Sequence, residues 1–272
     1  MNLWLMASVA LLCALAGVAL GWWFSRLRSP YWMIGYFIPV TLVFVYALGF
    51  YVPGELFMPP FSWLMLGIRK FMVFGFITTL VLTTPMLRLP HRRTRVIIAA
   101  LMAAIVFGMC LLPFITPMLD REQLSHLKTN LDRNGICLQT TDYTCGPASA
   151  VTVLRKLGLP AEEGQIAIYS CTSFQEGTPE DMLAGGLEQL YARDGLSVQC
   201  RTFKSVADLK TVVPMMAVVK YGLLVDHWVA VLGVTDSEVL VGDPLGGLAR
   251  LSYQEFAGKW RFTGVVVQRK AP

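Results

Sequence analysis

Four long apolar runs in the first 119 residues constrain this chain more than any other feature of its sequence. A helix needs about 20 apolar residues to cross a bilayer, with a range of roughly 17–25. The runs are Leu3–Phe24, Tyr31–Val52, Phe71–Leu87 and Val96–Leu119. The third run can begin earlier, near Trp63, with Arg69 and Lys70 reaching toward the interface. Because tryptophan and tyrosine also cluster at the ends of the runs, the sequence predicts four transmembrane helices.

Charge is distributed unevenly along the chain. Residues 1–119 carry nine charged side chains, eight of them basic, whereas residues 120–272 carry 32. The basic residues of the first part lie in short loops, so the formal net charge of +5 does not predict nucleic-acid binding. We expect a membrane region over 1–119, a polar and helical connector over 120–134 and a soluble domain over 135–272.

The loops also predict orientation, because Lys and Arg in short loops mark the cytoplasmic side. The loops after the first and third runs hold six arginines, and the loop after the second holds only Arg69 and Lys70. Both termini and the soluble domain are therefore predicted outside the cytoplasm, on a bacterial inner membrane. The first run lacks a basic leader and is longer than a signal-peptide core, so we expect it to be retained. No Asp, Glu or His lies deep in a run, which favours an anchor or scaffold over a transport path.

The soluble part predicts helices first and strands afterwards. The expected helices are Ala148–Leu157, Glu162–Tyr169, Pro179–Arg193 capped by Thr178, and a short helix begun by a Ser252–Glu255 capping box. The expected strands are Ser197–Phe203, Met215–Lys220, His227–Val234, Glu238–Val241, Leu248–Leu251 and Gly264–Gln268. Helices and strands do not alternate as βαβ units, so the pattern predicts an α+β domain with an antiparallel sheet.

Cys145 is the first residue with a chemical interpretation. Pro147 suits the first turn of a helix, so Cys145 lies at or just before a helix N-terminus. The positive end of a helix favours a thiolate, which is the nucleophilic form of cysteine. His227 is the one histidine inside the predicted soluble core, at the start of the strand HWVAVLGV.

A predicted hairpin brings Asp243 close to His227. If the turn centres on Asp236, His227 faces Leu245, and Asp243 lies one diagonal step away on the same face. A register slip of one residue would place the two side chains on opposite faces. Cys145, His227 and Asp243 can then serve as nucleophile, base and orienting carboxylate. Gln139 can donate its side-chain amide to the oxyanion, with the Cys145 backbone N–H as second donor.

The segment QTTDYTCGPAS, followed by HWVAVLGV and then VLVGDPLGG, resembles cysteine peptidase family thirty-nine. These papain-like peptidases remove double-glycine leader peptides from exported bacteriocins. The resemblance covers about Gly135–Gln268 and implies an active peptidase. It places the oxyanion glutamine at Gln139, the nucleophile at Cys145, the base at His227 and the orienting aspartate at Asp243.

The chain departs from the usual pattern of that family in three ways. The family often has an acidic residue immediately before the nucleophile, where this chain has Thr144. Typical members are N-terminal, cytoplasmic domains of ATP-driven exporters, whereas this catalytic domain is C-terminal and predicted outside. The chain has no phosphate-binding G-x-x-x-x-G-K-[ST] loop, so no ATP binding is expected. The C-terminal position of the catalytic domain and its predicted place outside the cytoplasm both weaken the expectation of a bacteriocin leader as substrate.

Several alternatives stay open from the sequence. Cys145 can instead pair with Cys137, Cys171 or Cys200 in a disulfide, and Asp243 can be an ordinary turn residue. The leading hypothesis is a membrane-anchored cysteine peptidase acting on a peptide or protein substrate. A wall-peptide amidase or acyltransferase, and a degenerate peptide-binding module for an export or envelope partner, are the alternatives. No cofactor and no metal are expected, because neither a C-x-x-C nor a paired-histidine motif is present.

Overall fold

A computed structural model describes residues 3–51, 70–222 and 225–269. Its contacts divide these residues into two compact units, the first over 3–51 and 70–115, the second over 116–222 and 225–269. Two details of the predicted spans, the end of the second at Val52 and a start of the third near Trp63 and Arg69, lie outside the described residues.

The N-terminal part is helical. The helices up to residue 119 are α1 (Leu3–Ser25), α2 (Phe37–Tyr51), α3 (Lys70–Thr83), α4 (Arg92–Val106) and α5 (Leu112–Leu119). A π-helical turn, Phe107–Leu111, joins α4 to α5. In the described part of the chain, four helical stretches are long and apolar enough to cross a membrane: Trp4–Ser25, Tyr31–Leu48, Lys70–Arg88 and Arg92–Ser125. This agrees with a membrane region in the N-terminal part.

Close approach of helices in the first unit depends on small residues. A Cβ added at Gly21 of α1 would lie 2.9 Å from both the carbonyl oxygen of Leu80 and the Cβ of Thr83 on α3. Such spacing is far below van der Waals contact, so α1 and α3 pack this closely only with glycine there. Small residues have the same role in many membrane helix pairs.

The second unit has helices on an antiparallel sheet. Its helices are α6 (Arg121–Ser125), α7 (Cys145–Lys156), α8 (Glu163–Tyr169), α9 (Glu180–Leu190) and α10 (Tyr253–Lys259). Its strands are β1 (Asn130–Leu131), β2 (Cys137–Leu138), β3 (Leu196–Thr202), β4 (Met215–Gly222), β5 (Val225–Val234), β6 (Glu238–Asp243), β7 (Gly247–Ser252) and β8 (Trp260–Arg269). Strands β1 and β2 pair with each other, and the other six form one sheet in the order β3-β8-β4-β5-β6-β7. Every pairing in it is antiparallel, which confirms the predicted α+β fold class.

Helix α7 is embedded in the domain. Every residue from Cys145 to Leu154 is buried, and only the last turn, with Arg155 and Lys156, reaches solvent. One apolar core joins α7 to Trp228 and Ala230 of β5. A second core contains Phe256 of α10 and Trp260 of β8. Packing therefore holds the start of α7, with Cys145, in place.

The local structure corrects several predictions. The connector is helical only over Arg121–Ser125 and then forms β1. Thr178 does not cap α9, because its hydroxyl pairs with Thr172 and its carbonyl accepts from Trp228. Several ends are also shifted: for example, α7 begins at Cys145 rather than Ala148, α9 runs from Glu180 to Leu190, and β8 begins at Trp260. The capping box of Ser252 and Glu255 is confirmed.

Candidate active site

Cys145 is the first residue of α7 and is 8 % exposed. The glycine that follows it is required by the packing. A Cβ at Gly146 would lie 2.9 Å from the Cβ of Thr178 and 3.2 Å from Cδ1 of Trp228. Trp228 in turn donates from Nε1 to the carbonyl of Thr178 at 2.9 Å. The start of the helix therefore lies directly against this buried pair.

Strands β5 and β6 position His227 and Asp243. Near the site, Ala230 pairs with Gly242 and Val231 with Val241, which is the register that the sequence predicts. At the turn end the register differs, because Gly233 pairs with Leu240. An irregularity between Val231 and Gly233 restores the predicted register. Without this irregularity, the register would slip by one residue along the whole hairpin. Asp243 and His227 would then lie on opposite faces of the sheet.

His227 and Asp243 form a direct pair. Nε2 of His227 lies 2.8 Å from Oδ1 of Asp243. The same oxygen accepts a hydrogen bond of 2.9 Å from the backbone N–H of Leu245, so the carboxylate is held on two sides. Cys145 is the other hydrogen-bonding partner of His227. Because Nε2 faces Asp243, Nδ1 is the nitrogen that remains for Cys145.

The surroundings of His227 favour its charged form. Burial lowers the pKa of His227, but hydrogen bonds and charges from Asp243 and Cys145 outweigh burial and raise that pKa to about 9. For Asp243, burial raises the pKa, while His227 and the backbone N–H of Leu245 hold the pKa below its usual value. A charged imidazolium bonded to the Asp243 carboxylate is thus the favoured state near neutral pH. The ring of exposed Tyr221 lies 5.5 Å from the His227 ring, centroid to centroid.

Gln139 lies in the loop between β2 and α7. Its backbone N–H donates to the carbonyl of Pro244 at 3.0 Å, which ties this loop to the residue after Asp243. Its Nε2 donates to the carbonyl of Thr141 at 2.9 Å. A side-chain amide carries two N–H donors, so one remains for another acceptor. Among the residues that the structure describes, Oε1 of Gln139 is buried without a hydrogen-bond partner.

The other polar groups near the site do not compete for His227. Asp226 pairs instead with buried Arg261, whose Nε lies 2.8 Å from Oδ1, in line with the sequence prediction that Asp226 points elsewhere. Cys137, Cys145 and Cys171 are thiols rather than disulfide partners. Burial, followed by the charge of Glu163, raises the pKa of Cys137 to about 12. Within the three described ranges, no group of three His, Cys, Asp or Glu residues could hold a metal ion.

Sequence reasoning missed the groups that support the site. The backbone N–H of Leu245 carries no side-chain signal, and the contacts of Gly146 with Thr178 and Trp228 join segments far apart in the chain. The buried carboxylate of Glu163 was also missed, because an acidic residue in the first turn of a helix is usually solvated.

Comparison with known proteins defines the class. The second unit combines a thiol at a helix start with a paired histidine and aspartate on an antiparallel hairpin. The chain belongs to the Peptidase C39 family, whose sequence pattern it matches over residues 133–271. This is the cysteine peptidase family that the motifs resemble.

Individual relatives each match about half of the chain. An uncharacterized protein of Methanothermobacter marburgensis is 27% identical over 144 residues, which are 53% of this chain and 95% of that protein. The peptidase domain of Streptococcus ComA, described as a bifunctional ABC transporter of a quorum-sensing pathway, is 19% identical. The match covers 49% of this chain and 96% of that domain, with a TM-score of 0.43. A double glycine motif protease from an AMS/PCAT transporter, solved with its leader peptide, is 16% identical. This match covers 54% of this chain and 96% of the protease chain, with a TM-score of 0.42.

Proposed function

We propose that this chain is a membrane-anchored cysteine peptidase that hydrolyses peptide bonds with Cys145, His227, Asp243 and Gln139. The observation that carries the proposal is the continuous line of hydrogen bonds from Cys145 through His227 to Asp243, in a domain of a peptidase family. Each group has the chemistry that its role needs. A buried, oriented imidazole beside a thiol at a helix start is the arrangement that activates a cysteine nucleophile.

The reaction follows from this geometry. His227 takes the proton of Cys145 at Nδ1, and the thiolate attacks the carbonyl carbon of the substrate. The second N–H of the Gln139 amide and the backbone N–H of Cys145 stabilise the oxyanion. When the C–N bond breaks, the imidazolium gives its proton to the leaving amine. Water, deprotonated by His227, then hydrolyses the thioester and releases the thiol, while Asp243 keeps the ring oriented.

In this proposal the activity takes place at a bilayer surface, which the four long apolar helices support. The division into membrane region 1–119, connector 120–134 and peptidase domain 135–272 belongs to the proposal. So does the extracytoplasmic position of the peptidase domain, which the six arginines in the first and third loops support. The substrate is a peptide or protein that reaches that side of the membrane.

The test uses the full-length protein in lipid nanodiscs. We expect wild type to cleave members of a mixed peptide library, and Cys145→Ala to cleave none. Cys200→Ala, which removes an exposed thiol of the same domain, is the matched control and should retain the wild-type rate. Retained hydrolysis by Cys145→Ala would exclude the proposed nucleophile.

Alkylation separates an active thiol from a binding module. Iodoacetamide at pH 6 should label Cys145 in wild type at least tenfold faster than in His227→Ala, because the imidazolium favours the thiolate. Buried Cys137 should stay unlabelled in both and serves as the internal reference. An unreactive Cys145 together with retained peptide binding would favour the degenerate module. Cleavage of wall muropeptides but of no protein-derived peptide would favour the amidase.

A further inference from the structure

Glu163 is a fully buried carboxylate that the mechanism above does not use. It lies in the first turn of α8, and both of its oxygens accept hydrogen bonds from one residue, Thr140. Oε1 accepts from the Thr140 backbone N–H at 2.9 Å, and Oε2 accepts from the Thr140 hydroxyl at 2.5 Å. A buried carboxylate is costly unless it is well bonded. Its two hydrogen bonds therefore indicate that Glu163 holds Thr140 in place.

Thr140 lies between Gln139 and Thr141, whose carbonyl orients the Gln139 side-chain amide. Gln139 precedes it, and Thr141, whose carbonyl accepts from Gln139 Nε2, follows it. The Thr141 carbonyl also accepts from the backbone N–H of Thr144 at 3.3 Å, next to the nucleophile. Holding Thr140 therefore holds both the backbone of Gln139 and the acceptor that orients its side chain.

Glu163 is itself tied to the nucleophile helix. Arg155, near the end of α7, donates to the carbonyl of Ala161 at 3.2 Å and to the carboxylate of Glu162 at 3.1 Å. The backbone N–H of Glu163 donates to the hydroxyl of Thr129 at 2.9 Å. The start of α8 is thus fixed relative to α7, whose first residue is the nucleophile.

We propose that Glu163 is a positioning residue, which acts through Thr140 to hold the Gln139 amide at the distance from Cys145 that the oxyanion requires. This inference rests on the proposed function, because it assigns Glu163 a part in transition-state stabilisation at the same site. A donor that is displaced by about 1 Å loses much of its effect on the transition state while substrate binding changes little. Glu163 therefore acts on kcat rather than on KM.

The experiment is a double-mutant cycle between Glu163→Ala and Gln139→Ala in the full-length protein, with a peptide that wild type cleaves. Rates are expressed per Cys145 thiol that iodoacetamide labels in the fast phase at pH 6, because unfolded molecules lack the adjacent imidazolium and label slowly at that pH. Gln139→Ala should lower kcat about 100-fold in the wild-type background. We expect Glu163→Ala to lower kcat about tenfold or more, with KM within threefold. In the Glu163→Ala background, Gln139→Ala should cost less than about tenfold, because the amide is already misplaced.

Two further variants make the test specific. Glu163→Gln should stay within threefold of wild type, because its carbonyl can accept from the Thr140 N–H and its amide can donate to the Thr140 hydroxyl. Glu188→Ala removes an exposed carboxylate on α9 and should leave kcat unchanged. Amide hydrogen exchange at Thr140, which needs no substrate, should be at least tenfold faster in Glu163→Ala than in wild type.

The possible failures are distinguishable. Additive effects of Glu163→Ala and Gln139→Ala, with Cys145→Ala inert, would overturn the role of Glu163 and leave the peptidase intact. Unchanged Thr140 exchange in Glu163→Ala would do the same without any kinetic measurement. Full hydrolysis by Cys145→Ala would overturn both proposals. A Glu163→Gln variant as impaired as Glu163→Ala would show that the hydrogen bonds to Thr140 are not the cause.

Discussion

Replacing Asp243 with asparagine removes the charge that faces His227 but keeps the size of the side chain. In the structure, Asp243 supplies both a hydrogen bond and a negative charge to the imidazolium, and Cys145 supplies the same two influences. Together they overcome burial and raise the pKa of His227 from 6.5 to about 9. At 1.36 kcal/mol per unit, this net shift corresponds to about 3 kcal/mol in favour of the imidazolium. Without Asp243, burial opposes Cys145 alone, so we expect the pKa of His227 to fall by at least about one unit, or ~1.4 kcal/mol.

The assay is the pH dependence of kcat/KM, which reports the free enzyme. In the proposed mechanism His227 gives a proton to the leaving amine, so activity should fall as pH rises through the pKa of His227. The wild-type alkaline limb should lie near pH 9, and that of Asp243→Asn at about pH 8 or below. Asp142→Asn removes an exposed carboxylate close to Cys145 in sequence and is the matched control, with its limb at the wild-type position.

The pH dependence of protein stability gives an independent measure of the pKa shift of His227. The folded-state pKa of His227 is raised, so the imidazolium stabilises the fold fully below pH 6.5, and this contribution disappears as pH rises through about 9. The wild-type free energy of unfolding should therefore lose up to about 3 kcal/mol from this group between pH 6.5 and 9. Asp243→Asn should show a smaller loss over that range. An alkaline limb that stays near pH 9 in Asp243→Asn, with an unchanged stability profile, would refute the assignment of the shift to Asp243.

Two packing predictions concern glycines. Gly146→Ala should lower the free energy of unfolding of the peptidase domain by about 1–3 kcal/mol and reduce activity, because its Cβ would meet Thr178 at 2.9 Å. Gly185→Ala, on the open face of α9, adds a Cβ with no neighbouring atom within 4 Å and should instead raise that free energy by up to about 1 kcal/mol. Urea titration measures the free energy of unfolding of both variants. Equal effects of the two substitutions would contradict the packing argument. In the first unit, Gly21→Ala should lower the thermal stability in detergent, because its Cβ would lie 2.9 Å from a carbonyl oxygen of α3. Gly108→Ala, with no atom within 4 Å, should have a small effect, and a loss as large as that of Gly21→Ala would show that helix contact is not the cause.

The features that the sequence predicts well are those that a local pattern encodes. The length of the apolar runs predicts the helices of the N-terminal part, and the change from helical spacing to alternation predicts the strands of the second unit. Pro147 predicts a helix start at or just after Cys145, and the helix begins at Cys145 itself. The short turn around Asp236 predicts that the strands of His227 and Asp243 pair as an antiparallel hairpin. Each of these patterns lies within about twenty residues, where backbone geometry relates sequence directly to structure.

The sequence alone therefore determined the α+β class, the apolar helices and the four residues of the proposed catalytic set. Only the tertiary structure decided how that set is supported. Glu163 meets Thr140, and Gly146 meets Thr178, because separate segments pack together in the folded domain. The strand irregularity near Val231 aligns Asp243 with His227, and the alternation of apolar and polar residues does not reveal it. Such contacts depend on the packing of segments remote in the chain, which no local periodicity records.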